Sequence, residues 1–289
     1  MHRRWIASAR TLFEPKDNTR TRFYQDSVVA VTGAGSGIGR ALALELSRRG
    51  ALLALADIDM ARVRETREMC STSDDVEVFQ VDVRDHDSVA AFASDTIERF
   101  GHCDVLIANA GVLHVGSVES TSYSEFDDVM AINYFGTVNC VKAFLPHLRA
   151  TGRAARIATI SSAVGLVGMP EHAAYSASKF AVRGFAESLR AELADTNIAV
   201  TAVYPGGIRT SIARTALLAA SVDRDEVVER FENRVARTDA DTAAGVVLAG
   251  VEAGRGRVLI GADAWLAEIA ARLAGPHFDR IVKAVARMA

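Results

Sequence analysis

Short runs of β-branched and other apolar residues alternate along the chain with longer amphipathic stretches. Most of the short runs are continuously apolar, which is typical of strands buried on both faces of a parallel sheet. The stretches between them repeat apolar residues at helical spacing, so one face of each predicted helix can pack on the sheet. Strands are predicted over residues 28–32, 52–57, 76–82, 104–109, 156–161, 198–205 and 257–261, and helices over 37–49, 60–70, 86–99, 123–150 and 174–195.

This regular alternation predicts an α/β fold. We expect a doubly wound, predominantly parallel sheet of about seven strands with helices on both faces. Because the strands run parallel, their carboxyl ends lie along one edge of the sheet, and right-handed crossovers set the face that each helix covers. Ligands of such folds bind at that edge, so the candidate functional residues are those that follow the predicted strands.

The chain divides into one predicted domain and two flanking segments. Residues 27–261 contain the alternating pattern and form the expected domain. Residues 1–26 carry six Lys or Arg against three acidic residues, and we expect a surface arm or subunit contact, with a membrane-surface or partner-binding role as the alternative. The pattern over residues 262–289 predicts a tail of two amphipathic helices. We expect this tail to pack on the substrate-loop side or on a neighbouring subunit, rather than on a membrane.

Composition excludes several classes of function. The 289 residues carry 33 Lys or Arg against 36 Asp or Glu, and a net charge of −3 argues against a nucleic-acid-binding surface. The longest apolar run, Ala51–Ala56, is far too short to span a membrane. The cysteines Cys70, Cys103 and Cys140 show neither pairing nor metal-ligand spacing, so we expect no metal site and a reducing, cytoplasmic environment.

A glycine-rich turn follows the first predicted strand and opens the first predicted helix. The run Thr32–Gly39 reads TGAGSGIG, and its glycines allow a tight turn and the close approach of a phosphate. Free N–H groups at a helix start bind anions, which makes the turn a candidate pyrophosphate site. A tight turn without a ligand would also explain the glycines. Asp57 favours the ligand, because it ends the second strand where a carboxylate can accept hydrogen bonds from ribose hydroxyls.

Tyr175 and Lys179 form a second candidate cluster. They lie four residues apart in a predicted helix and therefore share one face. A free tyrosine has a pKa of about 10, and we expect the neighbouring cation to lower it enough for proton exchange with an alcohol or carbonyl. Such a pair also occurs as a plain surface pair. Ser162 ends a predicted strand earlier in the chain and can hydrogen-bond the same substrate oxygen.

The order of these motifs resembles that of the short-chain dehydrogenase/reductase family, of the compact single-domain Rossmann type. The resemblance covers about residues 27–261 and rests on five motifs in the family's order. It implies the catalytic residues Asn133, Ser162, Tyr175 and Lys179, with Asn133 holding a water in a proton relay. It implies that a nicotinamide dinucleotide is bound by Gly33, Ser36, Gly37, Ile38, Gly39, Asp57, Asp82, Val83, Asn109, Ala110, Gly111, Tyr175, Lys179, Pro205, Gly206, Ile208 and Thr210.

The resemblance also implies roles within this set. Asp82 is similar to the aspartate that contacts adenine, and residues 109–111 (NAG) to the segment that steadies the central sheet. Residues 205–210 resemble the segment around the nicotinamide carboxamide, and Lys179 the lysine that holds the nicotinamide ribose. Ala108 stands where asparagine is commoner in the family, a departure outside the catalytic residues.

The implied activity is hydride transfer between NAD(P) and a secondary alcohol or ketone. Apolar residues within 163–169 favour a lipophilic small-molecule substrate. NAD is expected over NADP because Asp57 would repel a 2′-phosphate, and Arg40 is the nearby cation that could compensate. Two alternative functions stay open: a catalytically idle NAD-binding regulator, and a lyase or epimerase on the same fold. The family resemblance further implies a homodimer or homotetramer, paired through the helices over 123–150 and 174–195.

Overall fold

A parallel sheet forms the centre of residues 23–273, the part of the chain that this computed structural model describes. The strands are β1 (Val28–Thr32), β2 (Leu52–Asp57), β3 (Val76–Gln80), β4 (Val105–Ala108), β5 (His114–Val115), β6 (Ala155–Ile160), β7 (Ile198–Pro205), β8 (Ile208–Arg209), β9 (Leu217–Leu218), β10 (Thr238–Asp239) and β11 (Arg257–Ile260). Seven of these lie in the order β11–β7–β6–β4–β1–β2–β3, and every pairing is parallel. The strand order reverses between β1 and β4, which is where folds of this kind bind ligands.

Helices cover both faces of the sheet. They are α1 (Gly37–Arg48), α2 (Met60–Glu68), α3 (His86–Phe100), α4 (Tyr123–Met130), α5 (Gly136–Ala150), α6 (Ala173–Glu192), α7 (Arg224–Arg230), α8 (Ala240–Glu252) and α9 (Ala262–Leu273). On one face, Leu46 of α1 and Val247 of α8 belong to the same buried cluster as Val31. On the other, the rings of Phe92 (α3) and Phe144 (α5) lie 5.2 Å apart over the sheet. The predicted doubly wound α/β fold with about seven strands is confirmed.

Three features differ from the sequence-based expectation. The predicted helix over 123–150 is interrupted between α4 and α5 by a π-helical turn at Ala131–Phe135. Helix α8 escaped prediction because its residues are small or apolar at most positions, which leaves little helical periodicity to detect. Two pairs of very short parallel strands, β5 with β9 and β8 with β10, were also not predicted, since two residues carry no pattern.

Both ends of the described segment contact the domain. The buried Tyr24 donates its hydroxyl to the carbonyl of Leu248 at 2.7 Å, so the chain just before β1 is held against α8. Helix α9 is joined to β11 by an ion pair between Arg257 and Glu268, 2.8 Å apart. Residues 1–22 and 274–289 lie outside the described residues, and with them most of the expected arm and the second helix expected in the tail. None of the helices within residues 23–273 has the length and hydropathy needed to cross a bilayer.

Candidate active site

The glycine-rich turn joins β1 to α1 at the carboxyl edge of the sheet. Gly33 and Gly37 have positive φ angles of 66° and 52°, which favour glycine. A Cβ on Gly39 would lie 2.0 Å from the carbonyl oxygen of Gly33, so that position also has no room for a side chain. The Ser36 side chain does not cap α1. The N–H groups at the start of this helix are therefore oriented to receive an anion.

A second loop, which follows β4, holds this turn in place. The side-chain amide of Asn109 donates to the carbonyl oxygens of Thr32 and Gly33 at 2.9 and 3.1 Å. The hydroxyl of Thr32 in turn accepts from the backbone N–H groups of Asn109 and Ala110. A Cβ on Gly111 would lie 2.9 Å from Asn133 Oδ1 and 3.2 Å from Lys179 Nζ, so the backbone comes close to both side chains.

Asp57 ends β2 beside the turn. One carboxylate oxygen accepts from the N–H of Gly35 at 2.8 Å, and the other from the N–H of Asp59 at 3.0 Å. These bonds orient the carboxylate and leave acceptor capacity, because each oxygen can accept more than one hydrogen bond. Asp82 lies after β3, and Arg84 contacts its carboxylate at 2.7 Å. The hydrogen bond from Arg84 holds the pKa of Asp82 below its ordinary value.

The cations beside the glycine-rich turn and Asp57 differ from the one that the sequence indicated, which was Arg40. Arg40 donates to the carbonyl of Gly35 and to the carboxylate of Glu65, both at 2.6 Å, and it does not line the cavity described below. Arg62 and Arg84 do line it, and sequence reasoning missed both. Their positions, in the first turn of α2 and two residues after Asp82, are signals that could have identified them.

The second part of the candidate site, away from Asp57, brings together Ser162, Tyr175 and Lys179. Ser162 follows β6 with extended backbone, and its hydroxyl accepts from the N–H of Val164 at 3.3 Å. Tyr175 and Lys179 lie one turn apart in α6, with the ammonium nitrogen 5.7 Å from the centre of the tyrosine ring. That nitrogen donates to the carbonyl of Ile160 at 3.0 Å.

Burial shifts the pKa values of Tyr175 and Lys179 in opposite directions. Loss of solvent raises the pKa of Tyr175 to about 12, and its hydrogen bond with Ser162 offsets part of that rise. Loss of solvent also lowers the pKa of Lys179 to about 8. The expectation that Lys179 lowers the tyrosine pKa below its ordinary value is therefore wrong. Desolvation of the phenolate is the larger effect.

Asn133 lies in the π-helical turn between α4 and α5. Its side-chain oxygen accepts from the N–H of Val112 at 2.8 Å, and its nitrogen donates to the carbonyl of Val112 at 3.0 Å. The same nitrogen donates to the hydroxyl of Ser178 in α6 at 2.9 Å. The side chain thus joins the segment after Gly111 to the helix that carries Tyr175 and Lys179.

One cavity of about 660 Å³ runs between the two ends of the site. Every residue predicted for the site lines it except Gly39 and Asn133, which lie behind its wall. Beyond Tyr175 the wall is largely apolar, as expected, although Leu166 and Val167 of the predicted wall pack into the core instead. The apolar lining residues there include Leu113, Val115, Val164, Met169, Ile212, Val227 and Phe231.

Comparisons with known proteins agree with this arrangement. The family model described as short chain dehydrogenase matches residues 27–219. SadH of Mycobacterium tuberculosis is 38% identical over 264 residues, which cover 90% of this chain and 95% of SadH. Dehydrogenase/reductase SDR family member 7B of Mus musculus is 37% identical over 215 residues, 72% of this chain and 66% of that protein. The crystal structure of a short chain dehydrogenase/reductase from Burkholderia phymatum in complex with NAD matches with a TM-score of 0.79 and 25% identity, over 90% of this chain and 96% of that one.

We expect protein stability to depend on pH through Lys179. Its pKa is about 8 in the folded protein against an ordinary value of 10.5, so between these pH values the unfolded chain holds more protons. Titration of Lys179 therefore increases the free energy of unfolding as pH rises from about 8 to 10.5. Below about pH 8, the buried ammonium of Lys179 destabilises the folded protein. Lys179→Met should remove the gain in urea denaturation between pH 8 and pH 9, where tyrosine with its ordinary pKa of 10.0 is still largely protonated in the unfolded chain. Lys142→Met, at an exposed lysine, should retain it. An equal gain in Lys179→Met would contradict the assignment.

Proposed function

The chain belongs to the short-chain dehydrogenase family, and from this membership and the geometry of the site we propose that it interconverts a secondary alcohol and a ketone with NAD(H). One observation carries the proposal. The cavity that contains the glycine-rich turn and Asp57 at one end contains Ser162, Tyr175 and Lys179 at the other. A dinucleotide along this cavity would extend from an adenosine site at Asp57 to a reactive end beside Tyr175.

The residues of the cavity fit such a cofactor. The start of α1 lacks a side-chain cap and is bordered by glycines at positions where a side chain would clash or strain the backbone. This is a cradle for a pyrophosphate. Asp57 presents an oriented carboxylate to the ribose end, and Gly206 and Ile208 line the opposite end. When bound there, the nicotinamide would supply or accept the hydride.

Tyr175 is the proposed acid and base. With a pKa of about 12 its hydroxyl is protonated at neutral pH and can donate a proton to a ketone oxygen. The hydroxyl of Ser162, which lowers the pKa of Tyr175 and lines the same cavity, would orient the same oxygen. As the proton leaves, negative charge develops on the phenolate, and the ammonium of Lys179 close to the ring would stabilise it. Asn133 would support this proton transfer by holding Val112 and Ser178 in position.

The substrate that we propose is a lipophilic small molecule. Its site would be the apolar part of the cavity beside Tyr175, where Leu113, Val115 and Val227 form a buried cluster with that tyrosine. Apolar walls favour substrates that lose hydrophobic surface to them, and a few polar groups set their orientation. Absorbance of the reduced nicotinamide during incubation with a panel of alcohols and ketones would identify the substrate, and it would separate turnover from idle binding.

Tyr175→Phe should remove the proton donor and leave the cavity's shape unchanged. We expect kcat to fall by roughly 10²- to 10⁴-fold, the usual contribution of a proton-transfer group, while cofactor affinity changes little. Tyr204→Phe is a matched control, because Tyr204 is also buried and its hydroxyl has no hydrogen-bond partner among the described residues. Retention of more than a tenth of wild-type kcat in Tyr175→Phe would refute the assignment.

Asp57 should make the enzyme prefer NAD(H) to NADP(H). Two unit charges about 4 Å apart interact by ~4 kcal/mol at an effective dielectric of 20, and a third of that is about tenfold in affinity. Arg62 could offset the repulsion, but its guanidinium lies 3.3 Å from the carboxylate of Asp59. Asp57→Ala should therefore lower the ratio of kcat/KM for NAD(H) over NADP(H) about tenfold. Asp95→Ala, at an exposed carboxylate of α3, should leave the ratio unchanged. A wild-type preference for NADP(H) would exclude this role.

We further propose that the protein works as a homodimer or homotetramer in the cytoplasm. The helices expected to pair subunits border or carry large exposed apolar side chains: Tyr123 is 91% exposed, Phe135 51% and Phe180 40%. A second subunit would cover such side chains. Cys70, Cys103 and Cys140 are free, and a reducing compartment would keep them so. Light scattering on the eluted protein should give two or four times the chain mass, and a monomer at micromolar concentration would contradict the proposal.

A further inference from the structure

An aspartate at the start of the C-terminal helix contacts the backbone at the proposed nicotinamide end. Asp263 is the second residue of α9 and lines the cavity. One of its carboxylate oxygens accepts from the N–H of Gly207 at 2.6 Å. The other accepts from the N–H of Ala264, the next residue of the helix, at 3.0 Å. The carboxylate thus joins two segments that are 56 residues apart in the chain.

The backbone at Gly206 and Gly207 is packed so closely that neither position has room for a side chain. A Cβ on Gly206 would lie 2.0 Å from an oxygen of Asp263, and a Cβ on Gly207 would lie 1.9 Å from the carbonyl oxygen of Val235. The N–H of Gly206 donates to the carbonyl of Ile260 at 2.9 Å. The two glycines therefore lie between β11, the π-helical turn Phe231–Val235 that follows α7, and the carboxylate of Asp263.

We propose that Asp263 is a positioning residue that orients Gly206–Gly207, and through them Ile208, toward the nicotinamide. This inference rests on the proposed function. A hydrogen bond to an ionised acceptor is stronger than one between neutral groups, so the carboxylate restrains the N–H of Gly207 more firmly than a water molecule would. Helix α9 is then part of the active site, because its first turn determines the backbone geometry on one side of the cofactor.

The test compares a whole cofactor with one that lacks nicotinamide. Binding of NADH and of ADP-ribose is titrated to wild type, Asp263→Asn, Asp263→Ala and the control Asp241→Asn, which changes an exposed acidic residue in the first turn of α8. Asp263→Ala should weaken NADH binding about tenfold and ADP-ribose binding less than twofold. Asp263→Asn should fall between wild type and alanine, because its amide oxygen can still accept from Gly207. Asp241→Asn should bind both ligands as wild type does.

The possible outcomes separate the inference from the function on which it rests. Unchanged NADH affinity in Asp263→Ala would overturn the inference, and so would an equal loss for both ligands, which indicates a general structural effect. Wild-type protein that binds neither ligand would refute the proposed function and this inference with it. If Asp263→Ala fails to show a cooperative thermal transition, the nearly isosteric Asp263→Asn decides: a loss for NADH alone supports positioning, and no loss or an equal loss for both refutes it.

Discussion

Close backbone packing between the loops after β1 and β4 is the constraint on which the rest of the site depends. A side chain at Gly33 would lie 2.8 Å from the Cα of Ala110, and one at Gly39 would meet the carbonyl of Gly33. The amide of Asn109 completes the contact by donating to both carbonyls at the end of β1. These loops lie where the strand order reverses, so their approach sets the direction of α1 and leaves the cavity open beside it.

The same dense packing determines the chemistry of Tyr175 and Lys179. Both side chains are buried, and burial disfavours the charged form of each: it raises the pKa of the tyrosine and lowers that of the lysine. The carbonyl of Ile160 gives the ammonium a hydrogen-bond partner in this environment. The pair is therefore held as a neutral phenol beside an ammonium that loses its proton readily. A negative charge that arises on the phenol during proton transfer would meet that ammonium in a site with little water.

Most of the sequence motifs mark the ends of strands, and because parallel strands bring their ends to one edge, the structure places these residues around one cavity. Tyr175 and Lys179 lie instead within helix α6, where their spacing gave the signal. Helix α8, in contrast, has no polar face to reveal it, and the roles of Arg40 and Arg62 depend on which way their helices face in the fold. The pKa of Tyr175 was expected to shift the wrong way because spacing reveals a neighbouring charge but not desolvation. Asp263 lies far along the chain from the glycines that it contacts, and no sequence pattern connects them.

Charge pairing at the proposed adenosine end would let the carboxylate of Asp57 dominate the local charge. Arg40 is paired with Glu65, Arg62 with Asp59 and Arg84 with Asp82, so the charge of each guanidinium is largely offset by a neighbouring acid. Asp57, in contrast, is hydrogen-bonded by backbone N–H groups, which orient its charge without neutralising it. The local balance is therefore negative although three arginines lie nearby. A cation would have to leave its acidic partner to bind a phosphate there, but these pairs are at least partly exposed to solvent, so that cost is small and the repulsion from Asp57 would be the larger effect.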